Sequence, residues 1–147
     1  MVHRLLLDLA SALGKAEYIK SSAADIERFG FGDPPCFEAM LAFDGEEAVG
    51  LAVFFYEFST WRGQRGVYVQ DLYVSPDTRG RGLGRKLIEA VRQRAAEQGA
   101  YYVKLTVHDR NPSALAFYHA MGFQSCEDEL PLVLRDAPAD HPEESES

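Results

Sequence analysis

Apolar residues recur at Val2, Leu5, Leu6, Leu9, Leu13 and Ala16, and this spacing of three and four predicts a helix over Val2–Ala16. A second, short helix is predicted over Ser21–Phe29, and Phe31–Pro35 reads as a loop. Phe37–Phe43 has the character of a strand, closed by Asp44-Gly45 as a hairpin turn. Ala48–Phe58 is apolar on both faces, the mark of a central strand. After a loop over Ser59–Gly66, Val67–Val74 is rich in β-branched and aromatic residues and predicts another strand. Ser75-Pro76-Asp77 is a turn signal. From Arg85 to Gln98 the residues Leu87, Ile88, Val91 and Ala95 share one helical face, with Gly99 as a natural stop. Tyr101–Val107 is a further strand. Asn111 suits an N-cap and Pro112 the first helical position of a helix that runs to Met121 and ends at Gly122. Leu130–Leu134 is predicted as a last strand, at an edge because Pro131 cannot donate to a ladder. The order is that of an α/β (α+β) domain, with a mixed, mostly antiparallel twisted sheet flanked by helices.

Composition narrows the classes of function. The 147 residues suit a single domain over 1–135, followed by a polar acidic tail, 136–147, expected to be disordered. The net charge is −8, of which Asp136, Asp140, Glu143, Glu144 and Glu146 supply five, so the remainder is only mildly acidic. That balance argues against a nucleic-acid partner, which wants a basic face. No apolar run is long enough for a bilayer, so no membrane partner is expected. Met1–Leu7 is interrupted by Asp8 and lacks a convincing cleavage site for a secretory leader. Cys36 and Cys126 have neither metal-site nor redox-motif spacing, so no metal is expected and the default setting is reducing and cytoplasmic.

The chemistry concentrates in Arg79-Gly80-Arg81-Gly82-Leu83-Gly84, between the Val67–Val74 strand and the helix from Arg85. A glycine-rich turn that opens a helix exposes unpaired backbone N–H groups at the positive end of the helix dipole, which suits a pyrophosphate. Arg79, Arg81, Arg85 and Lys86 add positive charge. The Gly-Lys-Ser/Thr ending of a Walker loop is absent, and the three glycines are not spaced as in the dinucleotide fingerprint. A flexible basic loop is the plain alternative.

Strand, Arg-x-x-Gly-x-Gly and helix together resemble the acetyl-CoA pyrophosphate loop of the GNAT N-acetyltransferase superfamily. Asp71-Leu72-Tyr73-Val74, Asn111-Pro112-Ser113-Ala114, Ala116-Phe117-Tyr118 and Met121-Gly122-Phe123 extend the resemblance over roughly Leu5 to Ser125. Trp61-Arg62-Gly63 and Phe31-Gly32-Asp33-Pro34 are similar to features of the diamine and polyamine (spermidine/spermine-type) members. The resemblance implies the GNAT acyltransferase fold, a homodimer, and acetyl transfer from acetyl-CoA to a primary amine of a small, diamine- or polyamine-like molecule by direct attack in a ternary complex. A protein lysine or N-terminal acetyltransferase, or a CoA-binding module without catalysis, are the alternatives. Two departures matter. The chain starts directly in a helix, where the family usually has a short strand first. Gln70 stands where the polyamine group has a glutamate that helps deprotonate the amine.

Acetyl transfer needs a neutral amine, a hydrogen-bond donor for the thioester oxygen, and a proton for the departing thiolate. By resemblance the donor is a backbone N–H near Leu72–Val74, at a bulge in the strand, with Leu72 the single best choice. The strand Leu72-Tyr73-Val74 is expected to pair with the pantetheine arm through Val74. The cofactor-binding set is completed by Arg79, Gly80, Arg81, Gly82, Leu83, Gly84, Arg85, Asn111, Ser113, Ala114 and Tyr118. Tyr118 is assigned the proton for the thiolate, although sharing a face with Ala114, Phe117 and Met121 would equally make it core. Asn111 is explained as cheaply by its cap. Asp71 is a base or a partner for the amine cation. Glu17, Gln70 and Trp61 complete the substrate-binding expectation, against a solvated helix end for Glu17 and a loop anchor for Trp61. His108, with an ordinary pKa near ~6.5, is a further candidate base, against a structural or exposed role.

Overall fold

The computed structural model describes residues 1–107, 111–126 and 131–135. The chain divides into two compact units, Met1–His108 and Asp109–Ser147.

The first unit opens with helix α1, Val2–Ala12. It ends four residues before the periodicity does, because Gly14 takes a left-handed φ of +69°. Gly14 N–H then reaches Ser11 O and Lys15 N–H reaches Ala10 O, the paired bonds of a Schellman stop. A short 3₁₀ turn, Ala16–Tyr18, follows. Helix α2, Ala23–Gly30, starts on a capping box in which Ser22 and Asp25 exchange side-chain bonds to each other's backbone N–H.

Strand β1, Glu38–Asp44, turns through Gly45 and Glu46 into β2, Glu47–Ser59. The turn sits one residue later than expected, since Asp44 still pairs with Glu47 and Gly45, at φ +63°, is the first turn residue. β2 pairs antiparallel with β3, Gln64–Val74. The chain then passes through a 3₁₀ turn, Pro76–Thr78, and the glycine loop into α3, Leu83–Glu97. It returns as β4, Ala100–Leu105, parallel to β3. The sheet order is β1-β2-β3-β4, so β2 is interior as its two apolar faces required.

Helices cover both faces. Val2 and Leu5 of α1 pack with Leu51, Val53 and Tyr73, joined by Ile26 of α2 and by Phe37, Ala39 and Leu41. On the other face α3 buries Leu87, Ile88, Val91 and Ala95 against the strands. Arg94 fixes the far end of α3 to β1, its Nη2 and Nε donating to Glu38 Oε1 at 2.8 and 3.2 Å.

In the second unit α4, Pro112–Ala120, is capped by Asn111, whose Oδ1 accepts the Ala114 N–H at 3.2 Å. Residues 131–135 are not a strand, contrary to the sequence expectation. Pro131 has no N–H to give, and Leu132 and Leu134 are 87% and 94% exposed, so no sheet partner meets them. Leu130, the acidic tail and His108 lie outside the described residues.

Candidate active site

Two local irregularities create the site in the first unit. The first is a bulge. Val53 pairs with Asp71 and Phe54 with Val69, so Gln70 is an extra residue in β3 with no counterpart in β2. The bulge therefore lies at Gln70, ahead of the Leu72–Val74 stretch where it was expected. Strand residues alternate faces, so Val67 and Val69 point toward α3 and a regular strand would send Asp71 there as well. The inserted residue shifts the phase. Asp71 faces the same side as its partner Val53, under α1 and α2, and shares that side with Tyr68, the partner of Phe55. Gln70 itself is exposed.

The second irregularity is a fork. β3 pairs with β4 through Val67↔Val103, Tyr68↔Lys104 and Val69↔Leu105, and the pairing stops there. Beyond it β3 continues to Val74, and among the described residues its strand partner there is β2 alone. Among the described residues of this unit, no strand pairs with the other backbone edge of Gln70–Val74, where an extended ligand can add. Leu72 pairs with Ala52 within this stretch. The Tyr73 side chain is buried in the α1 cluster, which leaves only its backbone for a ligand. The Val74 carbonyl accepts the Arg79 Nε–H at 3.2 Å, and Ser75 N–H bonds Val49 O at 2.7 Å.

The open edge leads directly to the glycine loop. Gly80 and Gly82 have φ of +85° and +73°, and Gly82 is the N-cap of α3. α3 begins at Leu83, two residues earlier than its apolar stripe suggested, so Leu83, Gly84 and Arg85 form its first turn. No side chain caps it, and the first backbone bond of the helix is Lys86 N–H to Gly82 O at 3.0 Å. The preceding N–H groups are free of an intrahelical acceptor. Arg81, one of the cations flanking the loop, has its Nη1 3.4 Å from Asp44 Oδ2 in a solvent-exposed pair.

Asp71 is half buried, and burial alone pushes its carboxyl above the ordinary Asp range. A desolvated carboxyl with a raised pKa is a stronger proton acceptor than an ordinary Asp. Trp61, at the tip of the β2–β3 hairpin, is 98% exposed and neither walls a pocket within this unit nor anchors its loop. Glu17 lies in the exposed 3₁₀ turn, where its backbone carbonyl receives Lys20 Nζ at 2.8 Å.

In the second unit the Asn111 side chain is committed to its own helix, since Oδ1 also accepts the Ser113 hydroxyl at 3.1 Å. Tyr118 is half buried, its ring edge-on to Phe117 at 5.1 Å and Phe123 at 5.5 Å. Burial raises its phenol pKa. Ala114 and Met121 share its half-buried face, whereas Phe117 is exposed.

Sequence reasoning passed over Tyr68 and Thr106, whose hydroxyls meet at the fork, 2.6 Å apart. A signal was present for Tyr68: with Val67 and Val69 on one face of the strand, alternation puts Tyr68 on the other. Among the described residues no group of three or more His, Cys, Asp or Glu side chains is arranged to hold a metal, and no helix is long and apolar enough to cross a membrane.

Comparison with known proteins bears on this arrangement. The sequence profile of the Acetyltransferase (GNAT) family matches residues 3–123. A thialysine N-epsilon-acetyltransferase of Bos taurus is 33% identical over 129 residues, covering 82% of this chain and 75% of the relative. A spermidine/spermine N(1)-acetyltransferase-like protein 1 of Homo sapiens is 27% identical over 81% of this chain and 18% of its own length. Among solved structures, an aminoglycoside acetyltransferase from an uncultured soil metagenomic sample superimposes with a TM-score of 0.76 at 22% identity, covering 91% of this chain and 90% of that one, which shows a common fold.

Proposed function

Since the chain belongs to the GNAT acetyltransferase family and is an N-acetyltransferase, we propose that it moves acetyl from acetyl-CoA to the primary amine of a small, lysine- or diamine-like molecule by direct attack within a ternary complex. The observation that carries this reading is the continuity of the fork, the open β3 edge and the uncapped start of α3. An extended pantetheine arm can add to Gln70–Val74 as a strand would, which leaves its pyrophosphate at the Gly80–Gly84 loop. Both loop glycines needed for that approach have left-handed backbones and open space around them. The residues present therefore fit acetyl-CoA, which supplies the activated acetyl group.

The remaining steps fall to this chain's own groups. Asp71, on the α1–α2 face beside the fork, takes the proton of the incoming ammonium, the task that Gln70 cannot perform. A backbone N–H of the open edge, assigned to Leu72, meets the thioester oxygen as it gains charge. Arg79, Arg85 and Lys86 surround the phosphate loop with positive charge, and Arg79 can leave the Val74 carbonyl when phosphate arrives. Tyr118, in the second unit, gives its proton to the thiolate, a role assigned by resemblance and supported by a phenol that burial keeps protonated. Asn111 and Ser113 shape the start of α4, and Glu17 and Trp61 are reserved for the acceptor.

A primary amine close to lysine is favoured because the thialysine relative is 33% identical over most of both chains. A homodimer in the cytoplasm belongs to the same reading, supported by the outer edge of β1, which has no strand partner among the described residues. The test is thiol release from acetyl-CoA against diamines, polyamines, lysine analogues, aminoglycosides and short peptides. Turnover with one small amine is expected. Turnover confined to peptides, or CoA binding with no turnover on any amine, would overturn the reading.

A further inference from the structure

Backbone bonds lace β3 to β4 as far as Val69↔Leu105, and one side-chain bond continues past that point. The Tyr68 hydroxyl and Thr106 Oγ1 lie 2.6 Å apart, at the short end for paired hydroxyls. Tyr68 stands in the last row but one, opposite Lys104, while Thr106 is the first residue beyond the last row. The bond therefore runs diagonally across the base of the fork rather than along a row.

Each partner is set up for this. The Tyr68 ring lies against Phe55, centroids 5.2 Å apart, so the direction of its hydroxyl is fixed from behind. For Thr106 the next ladder position on β3 is Gln70, the bulge residue, and the pairing does not extend to it. A side-chain bond to Tyr68 stands in for the missing rung. Without it, the last rung is a fraying end, held by backbone bonds on one side only.

We infer that the Tyr68–Thr106 hydroxyl pair is a positioning brace that fixes where β3 and β4 part, and through that the width of the slot that receives the pantetheine arm; the inference rests on reading the fork as the acetyl-CoA cleft. Neither residue is assigned a step in the chemistry. The brace acts by preorganisation: a slot already at its bound width loses less freedom when the ligand enters. The bulge and the brace are complementary, since one ends the ladder and the other stops that end from opening further.

The test uses Tyr68→Phe, Thr106→Val, the double variant and Thr106→Ser, with CoA affinity by calorimetry and amide exchange at Leu105–Val107 as readouts. Tyr68→Phe keeps the ring on Phe55, and Thr106→Val keeps the β-branched shape. Each single variant should weaken CoA binding by about fivefold, the factor corresponding to one hydrogen bond of about 1 kcal/mol. Each should also speed exchange at Leu105–Val107 and raise the acetyl-CoA KM more than it lowers kcat. The double variant should be no worse than either single, and Thr106→Ser should restore both readouts. Unchanged affinity in the singles, or losses that add in the double, overturn the brace while leaving the cleft intact. A wild-type protein that binds no CoA overturns the cleft reading, and the brace with it.

Discussion

Two glycines bracket α3 with nearly identical backbones, and they allow the phosphate loop to be tested against an internal control. Gly82 caps the helix at φ +73° and Gly99 follows it at φ +75°. A Cβ placed at either meets no atom within 4 Å, so neither glycine is needed for space. Alanine at either position should therefore suffer only the left-handed backbone cost of roughly 1–2 kcal/mol. With about 2.1 cal/mol/K of unfolding entropy per residue, that energy lowers Tm by roughly 3–6 °C for a chain of this length. Asparagine tolerates the left-handed region better, so Gly82→Asn should recover part of the loss. The two sites should separate on ligand binding. At Gly82 the strained cap redirects N–H groups assigned to the pyrophosphate. Losing one charge-assisted bond of about 1.5–3 kcal/mol corresponds to a roughly 10- to 160-fold weaker Kd for CoA. Gly99→Ala should melt at about the same temperature as Gly82→Ala and bind CoA as the wild type does. Thermal melts by circular dichroism and calorimetric titration with CoA decide the matter. Equal losses of affinity in both variants, or none in Gly82→Ala, would refute the assignment of this loop to the pyrophosphate.

Asp71→Asn should cut kcat about 100-fold or more and abolish the acid limb of the pH–rate profile, because the base works ionised. Its stability should move the other way. Asp71 holds its proton to higher pH in the fold than in the unfolded chain, so stability is lost as pH rises through that window. The asparagine variant should thus melt above the wild type at neutral pH, with the gap closing in acid, and a pH-independent gap would contradict the burial argument. Tyr118→Phe should slow turnover about 100-fold without abolishing CoA binding; undiminished kcat would remove Tyr118 from proton donation. Ile88→Ala, at a fully buried position of α3, should cost about 2–5 kcal/mol by denaturant unfolding, and a loss below about 1 kcal/mol would contradict its packing against the sheet.

What the sequence made legible depended on the range of the interaction that decides each feature. α3 and its stop at Gly99, the central β2 and the Asn111 cap follow from periodicity and single-residue geometry, and all are present. The end of α1 was missed because Gly14 outweighs the apolar stripe that continues to Ala16. Of the strand expected at Leu130–Leu134, the described residues 131–134 do not form one, because an apolar run becomes a strand only if an edge accepts it, which is a tertiary matter. In the site, the loop glycines were readable because their φ is a local demand. The phase shift at Gln70 was not, because it appears only when β3 is laid beside β2. The pairing of Arg81 with Asp44 likewise shows only once the β1–β2 turn is set beside the loop.

The topology of the sheet also orders the assembly of the protein in time. β1, β2 and β3 are successive neighbours joined by tight turns, so their contacts close short loops at small entropic cost. β4 can reach β3 only after α3 has formed and crossed the face of the sheet, because parallel neighbours need a long crossover. Contacts of greater sequence separation form more slowly, which makes the β3–β4 seam a late event in folding. The fork opens from that seam, so a nascent chain acquires its three-stranded meander well before it acquires a place for a ligand. Pulse-labelled refolding should then protect amides of β2 ahead of those of β4, and protection in the reverse order would exclude this sequence. A ligand that spans the fork holds closed the seam that formed last, so its concentration would set how long the chain stays beyond the reach of proteases.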